Sequence, residues 1–337
     1  MSLNLFSLKG KNALVTGGSR GIGRAAAIAL AEAGANICLV LRPSSTDGAC
    51  SDSTEQVIRE KTGVRVAVVR CDLDDHSDNG VKSVVPRALE LMDGEIHILV
   101  NCAGIQRRTP AVNFSEKDWD DVVGVNLKTV WLLSQAAGQH MVPLKRGKII
   151  NFASLLSFQG GLTVPAYAAA KGGVATLTKA LSNEWSKEVR DPDAGGGSCL
   201  DGSILQSGCP YLIPVDYSSN YPFVRKIRNV LASLDTHLGH FLPRPYCLRH
   251  SYSYELAGRN EALLNNPTRL AQLNDRIPAG RWGTPEDFAG PLVFLASDAS
   301  NYVCGELLLV DGVSVLAPQL APTLTLLHRD GWPGESD

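Results

Sequence analysis

The chain has 337 residues, of which 44% are hydrophobic and 20% charged, the composition of an ordinary globular protein. Its formal net charge is −2, so it lacks the basic surface that binds nucleic acid or anionic membranes. No stretch approaches the roughly 18 apolar residues of a membrane span, and the first residues lack the apolar core of a signal peptide. We therefore expect a cytoplasmic protein with no nucleic-acid or membrane partner.

The cysteine pattern predicts reduced thiols and no metal site. None of the eight cysteines forms a Cys-x-x-Cys pair, and no histidine cluster has zinc-binding spacing. Several fall in apolar runs, where a free thiol behaves as a small hydrophobic side chain. The cysteines are Cys38, Cys50, Cys71, Cys102, Cys199, Cys209, Cys247 and Cys304.

Apolar runs alternate with helical patterns over the first 190 residues. We predict strands over 12–16, 36–41, 64–71, 96–101 and 148–152. We predict helices over 21–33, 53–62, 81–92, 126–141 and 165–188, with Ser115 and Asp118 capping a helix that breaks or bends before 126. Strands alternating with helices indicate βαβ units, and hence a Rossmann-like α/β fold. Its doubly wound parallel sheet would bind a nucleotide at the carboxyl edge.

The pattern changes after residue 190. Residues 191–254 contain a Gly-rich run and scattered prolines, with one helical pattern over 223–234 and no clear strand. Helical patterns resume over 255–273 and 285–296, the second with Thr284 as its N-cap, and a strand follows over 306–310. A long irregular stretch is unusual inside a compact domain.

A glycine-rich turn follows the first predicted strand and opens the first helix. Glycines allow a tight turn and close approach to phosphate, and a helix N-terminus adds exposed amides and partial positive charge. The strand–turn–helix context therefore predicts a dinucleotide site. Its candidate contacts are Gly17, Ser19, Arg20, Gly21, Ile22 and Gly23.

The end of the second strand bears on the choice of coenzyme. An acidic residue there would hold the ribose of NAD, whereas arginine accommodates the 2′-phosphate of NADP. Arg42 ends this strand with no carboxylate beside it, and Arg20 lies within the turn. We therefore favour NADP(H), with NAD(H) as the alternative. Further candidate cofactor contacts follow the third and fourth strands: Asp72, Leu73, Asn101, Ala103 and Gly104.

Four polar residues form a candidate catalytic set. Tyr167 and Lys171 are four residues apart on one predicted helix, so their side chains share a face. A nearby ammonium lowers the pKa of a phenol, which makes tyrosine a usable acid or base near neutral pH. Ser154 follows a strand and could bind a substrate oxygen, and Asn126 could hold a water that relays protons to Lys171.

These motifs together resemble the short-chain dehydrogenase/reductase family. They are Gly17-x-x-x-Gly21-x-Gly23, Asn101-Cys102-Ala103-Gly104, Asn126, Ser154 and Tyr167-x-x-x-Lys171. The resemblance covers about 1–190 and 256–312. It implies hydride transfer between NAD(P)(H) and a carbonyl or alcohol. Tyr167 would exchange the proton, Ser154 would orient the carbonyl, and Lys171 would also hold the nicotinamide ribose.

A narrower resemblance is to sugar-acid oxidoreductases, of the 2-deoxy-D-gluconate 3-dehydrogenase and 2-dehydro-3-deoxy-D-gluconate 5-dehydrogenase branch. It rests on residues 114–121, 154–161, 183–185 and 276–283. A sugar-acid carboxylate needs a cation, and Arg107 and Arg108 are candidates, as is Gln159 for a further substrate contact. A solvated arginine pair is an equally open interpretation. The family resemblance also implies a homotetramer or homodimer.

The chain departs from the family where a sixth strand, Val-Asn-x-Ile-x-Pro-Gly, is expected. We predict a single NAD(P)-binding domain over 1–312, interrupted by an atypical insertion over 191–258 that replaces this strand, and an atypical tail over 313–337. Two origins are open: both segments are mistranslated or mis-spliced sequence, or residues 211–215 serve as the sixth strand. A second functional hypothesis follows, an NADP(H)-binding sensor or scaffold without turnover.

Overall fold

The computed structural model describes residues 3–43, 53–186, 201–206, 277, 279 and 281–311. All of these belong to one compact unit, formed by residues 1–210 and 256–337. The predicted helices over 223–234 and 255–273, and the candidate strand over 211–215, lie outside the described residues. Within the described residues, no helix combines the length and the apolar character that a bilayer crossing requires.

Seven parallel strands form one sheet in the order β3-β2-β1-β4-β5-β6-β7. The strands are β1 Asn12–Thr16, β2 Asn36–Leu41, β3 Val66–Arg70, β4 Ile98–Asn101, β5 Lys148–Phe152, β6 Asp201–Gln206 and β7 Leu307–Leu309. The chain moves outward from β1 to β3 and then returns to place β4 on the other side of β1. This reversal opens a crevice at the carboxyl ends of β1 and β4, where doubly wound sheets bind nucleotides.

Helices cover both faces of the sheet. They are α1 Gly21–Glu32, α2 Thr54–Thr62, α3 Val84–Leu91, α4 Glu116–Val123, α5 Thr129–Met141, α6 Leu156–Gln159, α7 Pro165–Trp185 and α8 Ala289–Ala296. Ser53 caps α2 by accepting from the amide of Gln56, and Ser115 caps α4 by accepting from that of Asp118, as predicted. Thr284 and Asp287 cap the turn that leads into α8.

Alternation along the strands divides the core into two layers. Ala13 and Val15 of β1 point into a cluster that α1 and α8 cover, whereas Leu14 points into one that α3 and α5 cover. Period-two alternation in strands buried on both faces explains why the sequence reads as continuous apolar runs. The cysteines among the described residues are free thiols, and burial raises the pKa of Cys38 to about 12.

The amino edge of the sheet, opposite the crevice, is closed by Asn12 at the start of β1. The side-chain Nδ2 of Asn12 donates to the backbone carbonyls of Met92 and Glu95 at 2.9 and 2.8 Å. The side-chain Oδ1 of Asn12 accepts from the side chain of Asn36 at 3.0 Å. One side chain therefore joins β1, β2 and the segment that enters β4.

Two histidines at this edge accept hydrogen bonds from backbone amides. Nδ1 of His97 accepts from the amide of Asn12 at 3.0 Å, while its Nε2 faces Glu95 at 3.3 Å. His140 Nε2 accepts from the amide of Ile96 at 3.3 Å. Burial lowers the pKa of both histidines, as expected for rings that must stay neutral to accept.

The structure confirms the predicted fold class and corrects one expectation inside the atypical segment. The absence of a strand from 191–254 was wrong: β6 runs parallel to β5 with Ile149 opposite Gly202 and Asn151 opposite Ile204, and it pairs with β7 on its other side. The sequence around β6 is short of β-branched and aromatic residues and follows a Gly-rich run, so it carries little local strand signal. The hydrogen bonds that β6 makes with β5 on one side and with β7 on the other override that weak preference.

Candidate active site

The glycine turn after β1 leaves no room for side chains at two of its positions. A Cβ on Gly17, whose φ is +72°, would lie 2.8 Å from the Cα of Ala103, and one on Gly23 would overlap the carbonyl oxygen of Gly17. The N-terminus of α1, which has no side-chain cap, opens directly from this turn. Tight backbone packing around a helix N-terminus fits the pyrophosphate of a dinucleotide.

Thr16 holds the loop after β4 against the turn. Its hydroxyl oxygen accepts from the amides of Cys102 and Ala103, both at 3.1 Å, and its hydrogen is donated to the carbonyl of Val100 at 3.3 Å. The candidate contacts Ala103 and Gly104 are thereby fixed beside the crevice. Sequence reasoning missed Thr16, although its place as the last residue of β1 was a usable signal.

Asn101 faces into the protein rather than along the crevice. Its amide nitrogen donates to Asn151 at 2.8 Å and to Ser134 at 3.3 Å, and Asn151 donates to Thr178 at 2.8 Å. Only 2% of Asn101 is exposed. Any contact of Asn101 with a cofactor would therefore involve its backbone, while its side chain ties β4 to β5 and α5.

Asn126 lies in a π-turn, Gly124–Lys128, that separates α4 from α5. Its side chain is fully buried and makes two bonds with one residue: it accepts from the amide of Ile105 and donates to the carbonyl of Ile105, both at 2.8 Å. Asn126 therefore fixes the path of the chain just beyond Gly104. The expected break or bend before 126 is thus a π-turn inside a continuous helical run, without an interruption of the helix.

Tyr167 and Lys171 lie on successive turns of α7, as their spacing predicts. The Lys171 Nζ is 5.8 Å from the centre of the Tyr167 ring and donates to the carbonyl of Phe152 at the end of β5. Lys171 is 4% exposed, whereas Tyr167 is half-buried. The ammonium is thus held at the sheet while the phenol remains accessible.

Ser154 lies two residues beyond β5, in the tight entry to α6. Its hydroxyl oxygen accepts from the amide of Leu156 at 3.2 Å, and its own amide donates to Ser157 at 3.3 Å. The side chain is oriented by the backbone and is 7% exposed.

A Cβ on Gly173 of α7 would lie 2.9 Å from Leu127, so the π-turn packs directly against the helix that carries Tyr167 and Lys171.

The candidate coenzyme-selecting arginines are both exposed. Arg20 precedes α1 with no side-chain cap bond, and Arg42 follows β2, where its carbonyl accepts from Arg70 at 3.1 Å. Asp72 is also exposed and accepts from the amide of Asp74 at 3.2 Å. Ser19 and Ile22, the other turn candidates, are exposed and half-buried respectively.

The two candidate substrate arginines differ in their surroundings. Arg107 faces two carboxylates of α4, Asp118 at 3.3 Å and Asp121 at 3.9 Å, whereas Arg108 donates to the neutral amide of Gln106 at 3.2 Å. Gln159 is exposed at the end of α6.

The arginine loop is tied to the segment that enters α7. The amide of Thr109 donates to the carbonyl of Thr163 at 2.9 Å. Thr163 has φ of +66°, an unusual conformation for a β-branched residue.

Among the described residues, no group of histidine, cysteine or acidic side chains could hold a metal ion.

A Rossmann-type sheet, a glycine cradle and a Tyr–Lys pair at the same edge define a dinucleotide-binding oxidoreductase. Residues 11–190 match the family model described as short chain dehydrogenase, and residues 257–312 match that described as Enoyl-(Acyl carrier protein) reductase. The chain belongs to the short-chain dehydrogenase family, as the sequence motifs predicted. Neither of these two matches covers residues 191–256 or 313–337.

Relatives at moderate identity span nearly the whole chain. The 2-dehydro-3-deoxy-D-gluconate 5-dehydrogenase of Escherichia coli (strain K12) is 37% identical and covers 93% of this chain and 98% of its own. The enzyme of the same name from Bacillus subtilis (strain 168) is 38% identical, with 91% and 95% covered.

A solved structure adds a bound coenzyme. The gluconate 5-dehydrogenase from Burkholderia cenocepacia J2315, in complex with NADP and tartrate, is 31% identical with a TM-score of 0.67 and covers 93% of this chain and 98% of its own. Together these relatives identify the chain as an NAD(P)-dependent oxidoreductase that acts on CH–OH groups, and they do not favour the sensor or scaffold hypothesis.

Proposed function

We propose that this enzyme interconverts a secondary alcohol and a ketone on a sugar acid, of the gluconate or 2-dehydro-3-deoxy-D-gluconate kind, with NADP(H) as coenzyme. The observation that carries the proposal is the Tyr167–Lys171 pair, whose ammonium is anchored at the carboxyl end of β5, at the edge of the sheet where the glycine cradle follows β1. The names of the relatives support the substrate class, and the NADP bound to the Burkholderia enzyme supports the coenzyme.

The residues that would hold the coenzyme surround the crevice. The pyrophosphate would occupy the cradle. Arg20 and Arg42 are exposed, and no acidic residue adjoins either of them in the sequence, which favours a 2′-phosphate. When bound, the nicotinamide ring supplies or accepts the hydride. The proposed contacts are Gly17, Ser19, Arg20, Gly21, Ile22, Gly23, Arg42, Asp72, Leu73, Asn101, Ala103, Gly104, Tyr167 and Lys171.

The tetrad would manage the proton and the substrate oxygen. In the reducing direction the Tyr167 hydroxyl donates a proton to the developing alkoxide, and in the oxidising direction its phenolate accepts the proton of the alcohol. The ammonium of Lys171 stabilises that phenolate electrostatically. Ser154 hydrogen-bonds the same oxygen, and Asn126 keeps the neighbouring backbone in place through Ile105.

Arg108 is the better candidate of the two arginines for the substrate carboxylate. The charge of Arg107 is already offset by Asp118 and Asp121, so recruiting it would require breaking those contacts. Among the described residues, the Arg108 guanidinium donates to the neutral amide of Gln106, and its loop is tied to the segment that leads to Tyr167. Gln159 would add a neutral hydrogen bond to a sugar hydroxyl.

We further propose a cytoplasmic homotetramer or homodimer built on one domain over 1–312, with 191–258 inserted and 313–337 as a tail. Exposed Trp119 on α4 and Trp131 on α5, at 42% and 36% exposure, support an interface that involves these two helices. Sedimentation velocity measures the oligomeric state, and a monomer at micromolar concentration contradicts the proposed assembly.

Mass spectrometry of the native protein tests the hypothesis that residues 191–258 are mistranslated or mis-spliced sequence. Peptides from 191–258 in the active enzyme would refute it.

A substrate panel assayed with both coenzymes tests the function. We expect turnover of gluconate-type acids with NADP(H), and weaker activity on uncharged polyols. Arg108→Ala should raise the KM for the acidic sugar by about 10- to 100-fold, the loss of one charge-assisted bond, while leaving the KM for a polyol unchanged. Arg107→Ala is the matched control, with an expected change under about threefold. Equal activity on acids and polyols would overturn the substrate proposal.

A further inference from the structure

The π-turn that carries Asn126 needs support from outside its own helix. The amide of Thr129 reaches back five residues to the carbonyl of Gly124, which makes the turn wider than those of α4 and α5. Such turns are uncommon, and they often mark functional sites. A neighbouring group that recognises this geometry would favour it over a regular α-helical turn.

His76, on the loop that follows β3, makes that contact. Its Nε2 lies 3.2 Å from the carbonyl oxygen of Gly124 and 3.0 Å from the hydroxyl oxygen of Thr129. The Thr129 hydroxyl donates its hydrogen to the carbonyl of Leu73 at 2.6 Å, so its oxygen can only accept from His76. Both neighbours of Nε2 are acceptors, and Nε2 therefore carries the hydrogen.

The β3 loop is pressed against the π-turn. A Cβ on Gly124 would lie 3.1 Å from the Asp74 carboxylate and 3.2 Å from the Cε1 of His76. Two residues further along the turn, Asn126 bonds to the backbone of Ile105. These contacts thus connect the loop that begins at Asp72, a candidate cofactor contact, to the chain beyond Gly104.

We propose that His76 is a positioning residue for the reaction: it holds the π-turn, which packs through Leu127 against the helix that carries Tyr167 and Lys171, in the conformation that directs Asn126 towards Ile105. The inference rests on the role proposed above for Asn126. Its chemistry is a single N–H shared between the carbonyl of Gly124 and the hydroxyl of Thr129.

A double-mutant cycle tests whether His76 acts through Asn126. His76→Ala should lower kcat about tenfold, the loss of roughly one hydrogen bond, with the KM for NADPH changed less than about twofold. His76→Gln, which keeps an amide donor at similar reach, should restore most of kcat. In an Asn126→Ala background the same His76→Ala change should cost less than about twofold. An undiminished tenfold loss in that background would overturn the proposal.

Hydrogen–deuterium exchange provides a readout that does not depend on the substrate. Peptides spanning 120–130 should exchange faster in His76→Ala and return to wild-type exchange in His76→Gln. His140→Ala, which removes a histidine from the amino edge, is the matched control and should leave these peptides unchanged. Wild-type exchange in His76→Ala overturns the positioning role, whereas faster exchange in a protein that turns over no sugar acid overturns the proposed function alone.

Discussion

The amino and carboxyl edges of the sheet carry similar polar groups that serve different purposes. At the amino edge, Asn12, His97 and Glu95 bond to one another and to backbone atoms within the protein. At the carboxyl edge, backbone atoms orient Ser154 and Lys171, which leaves the half-buried phenol of Tyr167 at the crevice. Polar groups that bond to one another contribute to stability, whereas polar groups that the backbone holds beside a partly exposed side chain can take part in chemistry.

This comparison predicts a separation of mutational effects. Substitution of Tyr167 at the carboxyl edge should reduce activity more than stability, because the bonds that orient Ser154 and Lys171 involve backbone atoms and do not depend on the Tyr167 hydroxyl. Changes at the amino edge should reduce stability and leave kcat intact. Each of the following experiments would contradict this difference between the edges if activity and stability changed together.

The largest expected effect is at Tyr167. Replacing it with Phe removes the proton donor but retains the ring, so kcat should fall by about a hundred- to ten-thousand-fold. The melting temperature should stay within about 2 °C of wild type, because a half-buried ring is conserved. Steady-state assay with NADPH and differential scanning calorimetry measure the two quantities. Substantial residual turnover would assign the proton transfer to another group.

Gly23→Ala comes next and should act on the cradle. Its Cβ would overlap the carbonyl of Gly17, so the turn must open and the KM for NADPH should rise at least tenfold, with a loss of about 1–3 kcal/mol in unfolding free energy. Gly290→Ala is the matched control, since nothing lies within 4 Å of a Cβ there. Fluorescence titration with NADPH and urea denaturation compare the two variants, and equal behaviour would contradict the cradle.

Asn12→Ala should affect stability alone. The change leaves the carbonyls of Met92 and Glu95 without their side-chain donor, which should cost about 1–2 kcal/mol of unfolding free energy. The site is at the far end of the strand from the crevice, and kcat should remain within about twofold of wild type. A large loss of kcat at full stability would show that the two edges are coupled.

The smallest expected effect is a pH dependence at the amino edge. Burial lowers the pKa of folded His97 below its ordinary value of 6.5, so the unfolded chain binds the proton more readily. The contribution to stability is complete above about pH 6.5 and declines as the pH falls towards the folded pKa.

Urea midpoints at pH 7.5 and 5.5 measure this dependence. His97→Asn places a side-chain oxygen where Nδ1 accepts from Asn12 but cannot titrate, so its pH dependence should be weaker than that of wild type. His140, whose pKa is lowered for the same reason, should account for part of the remainder. An unchanged dependence in His97→Asn would remove His97 from the explanation.

Local sequence signals were sufficient for most of the sheet and for the arrangement of the site. The strands over 12–16, 36–41 and 148–152 were predicted with the bounds that the structure has, because buried parallel strands read as apolar runs. The spacing of Tyr167 and Lys171 likewise predicted a shared helix face. The catalytic and binding roles assigned to these residues stay predictions until the experiments above are done.

What local signals could not supply depends on distant partners. Thr16 acts through amides at residues 102 and 103, and Asn101 through Asn151, pairs that only the folded sheet brings together. The π-turn at Asn126 follows from contacts with His76 and Ile105, neither of which is near in sequence. β6 belongs to the same group, since its neighbours in the sheet rather than its own residues define it.

The position of β6 also has a consequence for how the chain folds. β6 and β7 are adjacent in the sheet, yet about a hundred residues separate them along the chain. Closing a loop of that length costs slightly more conformational entropy than joining β1 to β4, which about eighty residues separate, but β7 returns only three residues of pairing for it. We therefore expect β1 to β5 to form first, with β7 joining last and opening first under denaturing conditions.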